Sequence, residues 1–246
     1  MARIRRRDLL TGSAAFLVGG RMARGEVISD KLPWQPDAGS PPQTIQPGGW
    51  KYFTRAEAAT VEALVDRIIP PDPDTPGGKD AGCAVFIDRQ LAGGYGHSEG
   101  LYNEGPFHDG VEQQGPQSAK TPAELYRAAL AALDNFCRAP AADGGSGKPF
   151  AELSAERQDA VLHDLEDGKI NLEGADAKKF FKQLLKDTQQ GFFADPVYGG
   201  NRNMCAWKMI GFPGARYDYR DWVGRHNERY PHPPVSITGR PDWTPS

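Results

Sequence analysis

Apolar residues recur at helical spacing once the chain reaches Thr54. Val61, Leu64, Val65, Ile68 and Ile69 fall on one face of a helix. Thr54-Arg55-Ala56-Glu57 before them is a capping box, in which hydroxyl and carboxylate satisfy free backbone donors reciprocally. Pro70-Pro71 stops this helix. A second helix is predicted over 81–91 and ends at Gly93-Gly94. Thr121-Pro122-Ala123-Glu124 is another capping box, with proline at the first helical position. It opens a helix whose apolar face is Leu125, Ala129, Ala132, Leu133 and Phe136. Ser154 caps a fourth helix carrying Val161, Leu162 and Leu165, which Gly168 ends. The last long helix covers 175–190, closed by Gly191. Its expected buried face is Phe181, Leu184 and Leu185, with Phe180 a further candidate.

No run of alternating β-branched residues and no internal repeat interrupts this pattern. The expected fold class is all-α: a single helical domain with long irregular loops and an aromatic-rich C-terminal segment. Residues 25–49 are rich in Pro, Gly and Gln and read as an extended arm, with Trp34 a candidate anchor. Residues 92–120 form a long Gly-rich connection containing Tyr95, His97, Tyr102, Phe107 and His108. A connection of that length is usually either functional or disordered. Residues 138–149 are a second loop. After residue 191 the texture changes, and 192–246 hold ten of the 24 aromatic residues, spaced by Gly, Pro, Asn and Arg rather than by helical period. Such a mixture packs as ordered irregular structure or presents aromatic and Arg anchors to a partner.

The first 24 residues read as an export address. Arg3, Arg5, Arg6 and Arg7 give a charged start, and Leu9 to Gly20 is a short, weakly apolar run. Arg6-Arg7-Asp8-Leu9-Leu10 resembles the twin-arginine pattern of two Arg, any residue, then apolar residues. Cleavage after Ala23 removes five Arg and one Asp and changes the formal net charge from -3 to -7. The expected organisation is therefore a signal over 1–24, an arm over 25–49, a helical domain over 50–215 and an irregular tail over 216–246. An acidic chain with no basic stripe excludes nucleic acid as the expected partner.

Much chemistry is absent from the sequence. No Cys-x-x-Cys-His motif for covalent haem occurs, and three dispersed cysteines do not make an iron–sulfur or Cys-rich zinc site. Gly144-Gly145-Ser146-Gly147 lies between two helices and reads as a flexible loop, not a dinucleotide fingerprint. Asp72-Pro73-Asp74-Thr75-Pro76-Gly77 resembles the start of a calcium loop but has Pro76 and Cys83 where carboxylates belong. A turn ruled by its prolines accounts for the same residues. His97 and His108 share the long loop, as a metal pair or as solvated residues. Cys83 and Cys137 are candidates for a disulfide in an oxidising compartment, with two buried free thiols as the plain alternative. The reading assigns no catalytic, cofactor-binding or metal-ligating set to this chain.

One long stretch is far more specific than any short motif. Gly191-Phe-Phe-Ala-Asp195-Pro-Val-Tyr198-Gly199-Gly-Asn201-Arg202 continues through Trp207 to Gly211-Phe-Pro-Gly214. It resembles the signature of the gluconate 2-dehydrogenase subunit 3 family. So do Phe53-Thr-Arg-Ala-Glu57, Asp66-Arg-Ile-Ile-Pro70, Thr75-Pro-Gly-Gly78 and Phe86-Ile-Asp88-Arg89-Gln90-Leu91. Cys83 departs from the family pattern. The resemblance implies a non-catalytic small subunit that supports maturation and twin-arginine export of a large flavoprotein of the glucose–methanol–choline oxidoreductase type. That partner holds FAD and oxidises a sugar or sugar acid, and a multihaem cytochrome c subunit commonly takes the electrons onward. The implied location is the periplasm, at the inner membrane through partner subunits. Phe193, Tyr198, Arg202, Trp207 and Trp222 are the candidate partner anchors, while turn-forming and core-filling roles account equally for the signature. The rival readings are a self-sufficient periplasmic enzyme or a ligand-binding protein, with a site in the 95–110 loop.

Overall fold

A computed structural model describes residues 48–237, apart from 102–103, 109, 112, 114–117, 141–143 and 217–218. The signal over 1–24, most of the arm and the end of the tail lie outside the described residues. Six α-helices are present among those described, and there is no sheet: α1 Arg55–Ile68, α2 Cys83–Ala92, α3 Pro122–Arg138, α4 Ala155–Asp167, α5 Ala177–Phe193 and α6 Cys205–Ile210. Single 3₁₀ turns lie at Phe150–Glu152, Pro196–Tyr198, Arg202–Met204 and Arg220–Trp222. The expected all-α class is observed.

Local chemistry starts the helices. Both capping boxes form: Thr54 Oγ1 accepts from the Glu57 amide while Glu57 accepts from the Thr54 amide, and Thr121 and Glu124 repeat the arrangement. Ser154 and Asp176 cap α4 and α5 with one side-chain oxygen each. Each cap is worth about 1 kcal/mol. Gly168 ends α4 in the left-handed conformation, as expected.

Helix α5 is the centre of the bundle, packing against α1, α2, α3, α4 and α6. Its buried face is Phe180, Leu184, Asp187, Thr188, Gly191 and Phe192, so Phe180 points inward while Phe181 and Leu185 are only half-buried. This corrects the expected face by one residue in the helical register. A second correction concerns its end. Gly191 does not close α5, which runs on to Phe193. Gly191 instead faces Phe86 of α2, where an added Cβ would come within 3.0 Å of the ring.

Two buried carboxylates fasten the bundle. Asp88 on α2, with no exposed surface, accepts from the amides of Lys51, Tyr52 and Phe53 at 2.9 Å each and pairs with Arg89. It thereby fixes the chain entering α1. Asp187 on α5 accepts from the hydroxyls of Tyr126 (2.9 Å) and Tyr95 (3.0 Å) and from the Gln183 amide (2.8 Å). Burial pushes the Asp187 carboxyl above its ordinary range, against the lowering effect of these donors. Burial, then the neighbouring Asp187 charge, raises both phenols in turn.

Candidate functional site

The end of α5 passes directly into the most irregular described part of the chain, and every turn there is held by a specific bond. Asp195 Oδ1 accepts from the Val197 amide at 3.0 Å and caps the Pro196–Tyr198 turn. The same carboxylate receives the Ser236 hydroxyl (2.6 Å) and the Ile237 amide (2.7 Å), which moors the tail. Asn201 is fully buried in the left-handed conformation. Its Nδ2 donates to the Ala194 carbonyl at 2.8 Å, and its Oδ1 accepts from the Ala206 amide at 2.9 Å. One side chain therefore spans from the end of α5 to the start of α6. Asn203 and Met204 also take positive φ, so three of four residues entering α6 adopt a conformation ordinarily disfavoured for side chains with a Cβ. Local strain of this kind persists only where the surroundings impose it.

Trp207 completes the frame. Its indole Nε1 donates to the Phe193 carbonyl at 2.9 Å, and its ring meets Phe212 edge-on at 5.2 Å. It is 6% exposed. Of the expected partner anchors, Trp207 is thus a core residue that braces the segment and offers little surface. Phe193, Tyr198 and Arg202 are exposed on that braced segment. Trp222 stands elsewhere, half-buried in a tail cluster with Tyr230 at 5.2 Å and Arg225 over its ring at 4.6 Å. The structure adds three exposed apolar side chains that the sequence reading passed over: Met209 (50% exposed), Ile210 (58%) and Phe212. Helix α6 buries only Ala206 and Trp207, and Lys208, Met209 and Ile210 face out from it.

Beside this segment runs a cleft of about 880 Å³. Asp72, Asp74 and Asp80, from the stretch between α1 and α2, line it together with Arg202, Lys208 and Met209. The loop is self-contained: Asp72 Oδ1 accepts from the amides of Asp74 (2.8 Å) and Thr75 (2.7 Å). The Asp72–Gly77 stretch is therefore a side-chain-capped turn. In the 95–110 loop, Tyr95 is committed to Asp187 while His97 and His108 are exposed. Among the described residues, no group of three His, Cys, Asp or Glu is placed to hold a metal ion.

Cys83, Cys137 and Cys205 stand as free thiols, the first two buried and the third half-buried. Cys83 opens α2 and Cys137 lies in the last turn of α3, with its carbonyl accepting from the Ser146 amide at 2.8 Å.

The sequence profile of the gluconate 2-dehydrogenase subunit 3 family matches residues 55–214, from the first residue of α1 to the glycine that follows the braced segment. The chain belongs to the gluconate 2-dehydrogenase subunit 3 family. No curated protein and no solved structure matches the chain. Family membership makes it an accessory subunit of a dehydrogenase complex, one that associates with other subunits. The family-matched stretch contains all six helices, the cleft and the exposed apolar side chains of 193–212. The Trp222–Tyr230 cluster lies outside it. Among the described residues, no helix is long and apolar enough to cross a membrane.

Proposed function

We propose that this subunit is non-catalytic and serves a FAD-dependent sugar or sugar-acid dehydrogenase of the glucose–methanol–choline type. It docks that flavoprotein through the 193–212 segment and the adjoining cleft. It then carries the partner, folded and loaded with FAD, to the periplasm on the twin-arginine signal headed by Arg6 and Arg7. A cytochrome c subunit holding haem receives the electrons where the complex has one. The complex meets the inner membrane through these partners.

The observation that carries the reading is the rigid presentation of unburied apolar side chains inside the family-matched stretch. Phe193, Tyr198, Met209, Ile210 and Phe212 are all exposed, yet Asn201 and Trp207 fix the backbone that bears them. Burial against a partner contributes roughly 1.5–3 kcal/mol for each fully covered side chain. A pre-fixed backbone lowers the ordering cost of binding. Arg202 and Lys208 line the cleft together with three aspartates and give the contact a pattern of both charge signs.

The test is expression of the tagged chain in its source cells, with native and Arg6→Lys/Arg7→Lys signals. The native chain brings down a protein with bound-flavin absorbance that oxidises a sugar or aldonic acid with an artificial acceptor, and both are periplasmic. The lysine pair keeps the charge but loses the planar guanidinium, so both proteins stay in the cytoplasm. Turnover by the pure single chain, or periplasmic dehydrogenase activity unchanged by the lysine pair, overturns the reading.

A further inference from the structure

The three cysteines are not equivalent in their surroundings, and the difference selects a pair. The 3₁₀ turn that leads into α6 lies against the chain that leads into α2: the Arg202 amide donates to the Ala81 carbonyl at 3.0 Å. Between them Gly82, at φ 85°, leaves no room for a side chain. A Cβ there would stand 2.5 Å from the Gly199 carbonyl oxygen and 2.8 Å from Arg202 Nε. Cys83 is the first residue of α2, immediately after this contact, and Cys205 is the first residue of α6, three residues after Arg202. Cys137 has another neighbourhood, formed by Asp134, Arg157 and the loop that carries Ser146.

We propose that Cys83 and Cys205 are a dithiol pair that closes to a disulfide in an oxidising environment, joining α2 to α6 beneath the partner-docking segment. Accessibility fixes the order of events. Cys205 is partly exposed and lines the cleft, whereas Cys83 is fully buried. The Cys205 thiolate attacks an external disulfide, such as a glutathione or oxidase disulfide, releasing one external thiol and leaving a mixed disulfide on Cys205. The Cys83 thiolate then displaces the second external thiol and forms the Cys83–Cys205 bond. Two protein thiols are oxidised, one external disulfide is reduced, and the two thiol protons go to the two released thiols. Burial, with Cys205 as the next cause, pushes the Cys83 thiol up to about 12. Burial raises the Cys205 thiol as well, so both steps quicken in alkali.

The pairing is independent of which partner docks and is tested on the full chain alone. The folded protein is incubated with oxidised glutathione at pH 8.5, quenched with N-ethylmaleimide in denaturant so that buried thiols are labelled, and mapped as non-reduced peptides. The expected result is one linked peptide joining Cys83 to Cys205, with Cys137 alkylated. Cys137→Ser retains the link, and Cys205→Ser abolishes it and returns Cys83 as an alkylated thiol. A Cys83–Cys137 peptide, three alkylated thiols, or a glutathione adduct persisting on Cys205 overturns the proposal. Circular dichroism of each serine variant confirms that the thiols are compared in folded chains.

Discussion

Gly200 lies so close to Gly191 that a Cβ on Gly200 would stand 2.0 Å from the Gly191 carbonyl oxygen. The contact seats the signature turn on the last turn of α5 and requires the absence of a side chain whatever the backbone angles. Gly200→Ala should destabilise the chain by about 3 kcal/mol, the upper range for overpacking. Gly49→Ala, where an added Cβ meets nothing within 4 Å, should be near neutral. Urea denaturation of the two variants compares them directly. Equal midpoints would show that the turn yields easily.

Tyr198 and Trp207 sit nine residues apart in sequence and should behave oppositely. Tyr198→Ala and Ile210→Ser remove exposed groups and should leave helical circular dichroism unchanged while weakening flavoprotein co-purification tenfold or more. Trp207→Ala removes a buried ring and the bond to the Phe193 carbonyl, and should cost about 3–5 kcal/mol. If Tyr198→Ala and Ile210→Ser bind fully, the interface lies elsewhere. The first place to look is the 92–120 loop, which exposes Leu101, Phe107 and Val111.

Asp88→Ala leaves the amides of Lys51, Tyr52 and Phe53 without their acceptor. At about 1–3 kcal/mol for each buried group so stranded, and with part of the segment reachable by water, the expected loss is about 3 kcal/mol. Asp88→Asn keeps one acceptor oxygen and should lose about half as much. Thermal denaturation checks the order native, Asn, Ala; an Ala variant as stable as native would remove the carboxylate from the account of the fold.

Acid should weaken the link between α1 and α3. Burial pushes the Glu57 carboxyl up, but hydrogen bonds from Arg127 and Thr54 outweigh it and hold the group below its ordinary value. A carboxyl lowered in the folded state stabilises above its unfolded pKa, and that contribution is lost as pH falls through the lower folded value. Glu57→Gln should therefore melt below the native chain at pH 7, by about 2–4 °C for a pair worth up to about 1 kcal/mol. The gap should close as the pH drops below 4.5. A gap of constant size from pH 7 to 3 would assign the effect to packing.

The helices were legible because their signals are local. Thr54 with Glu57, Thr121 with Glu124, and Ser154 act within one turn of the residue they cap, so the sequence displays them side by side. Gly191 misled because its intrinsic tendency is to end a helix, whereas here the close approach of Phe86 decides the matter. Helix α6 was illegible for a related reason. It is entered through left-handed residues that Asn201 enforces by bonds to Ala194 and Ala206, and no propensity anticipates that. The amides that Asp88 accepts lie 35–37 positions away and the hydroxyls that Asp187 accepts lie 61 and 92 away, beyond the reach of any periodic pattern. For the proposed site, composition and motif singled out the segment after residue 191. Which aromatic residues face outward depended on the indole bond of Trp207, and that is a property of the folded backbone.

The Asp88 carboxylate also sets how the start of the domain exchanges with solvent. Three successive amides share one acceptor side chain, so they cannot open one at a time at independent cost. Rotation of that single side chain releases Lys51, Tyr52 and Phe53 together while the capping box of α1 stays closed. Their amide protons should therefore exchange with deuterium as one group, separately from the helix that begins only two residues later. The boundary between the leading segment and the bundle is thus a latch with a single catch.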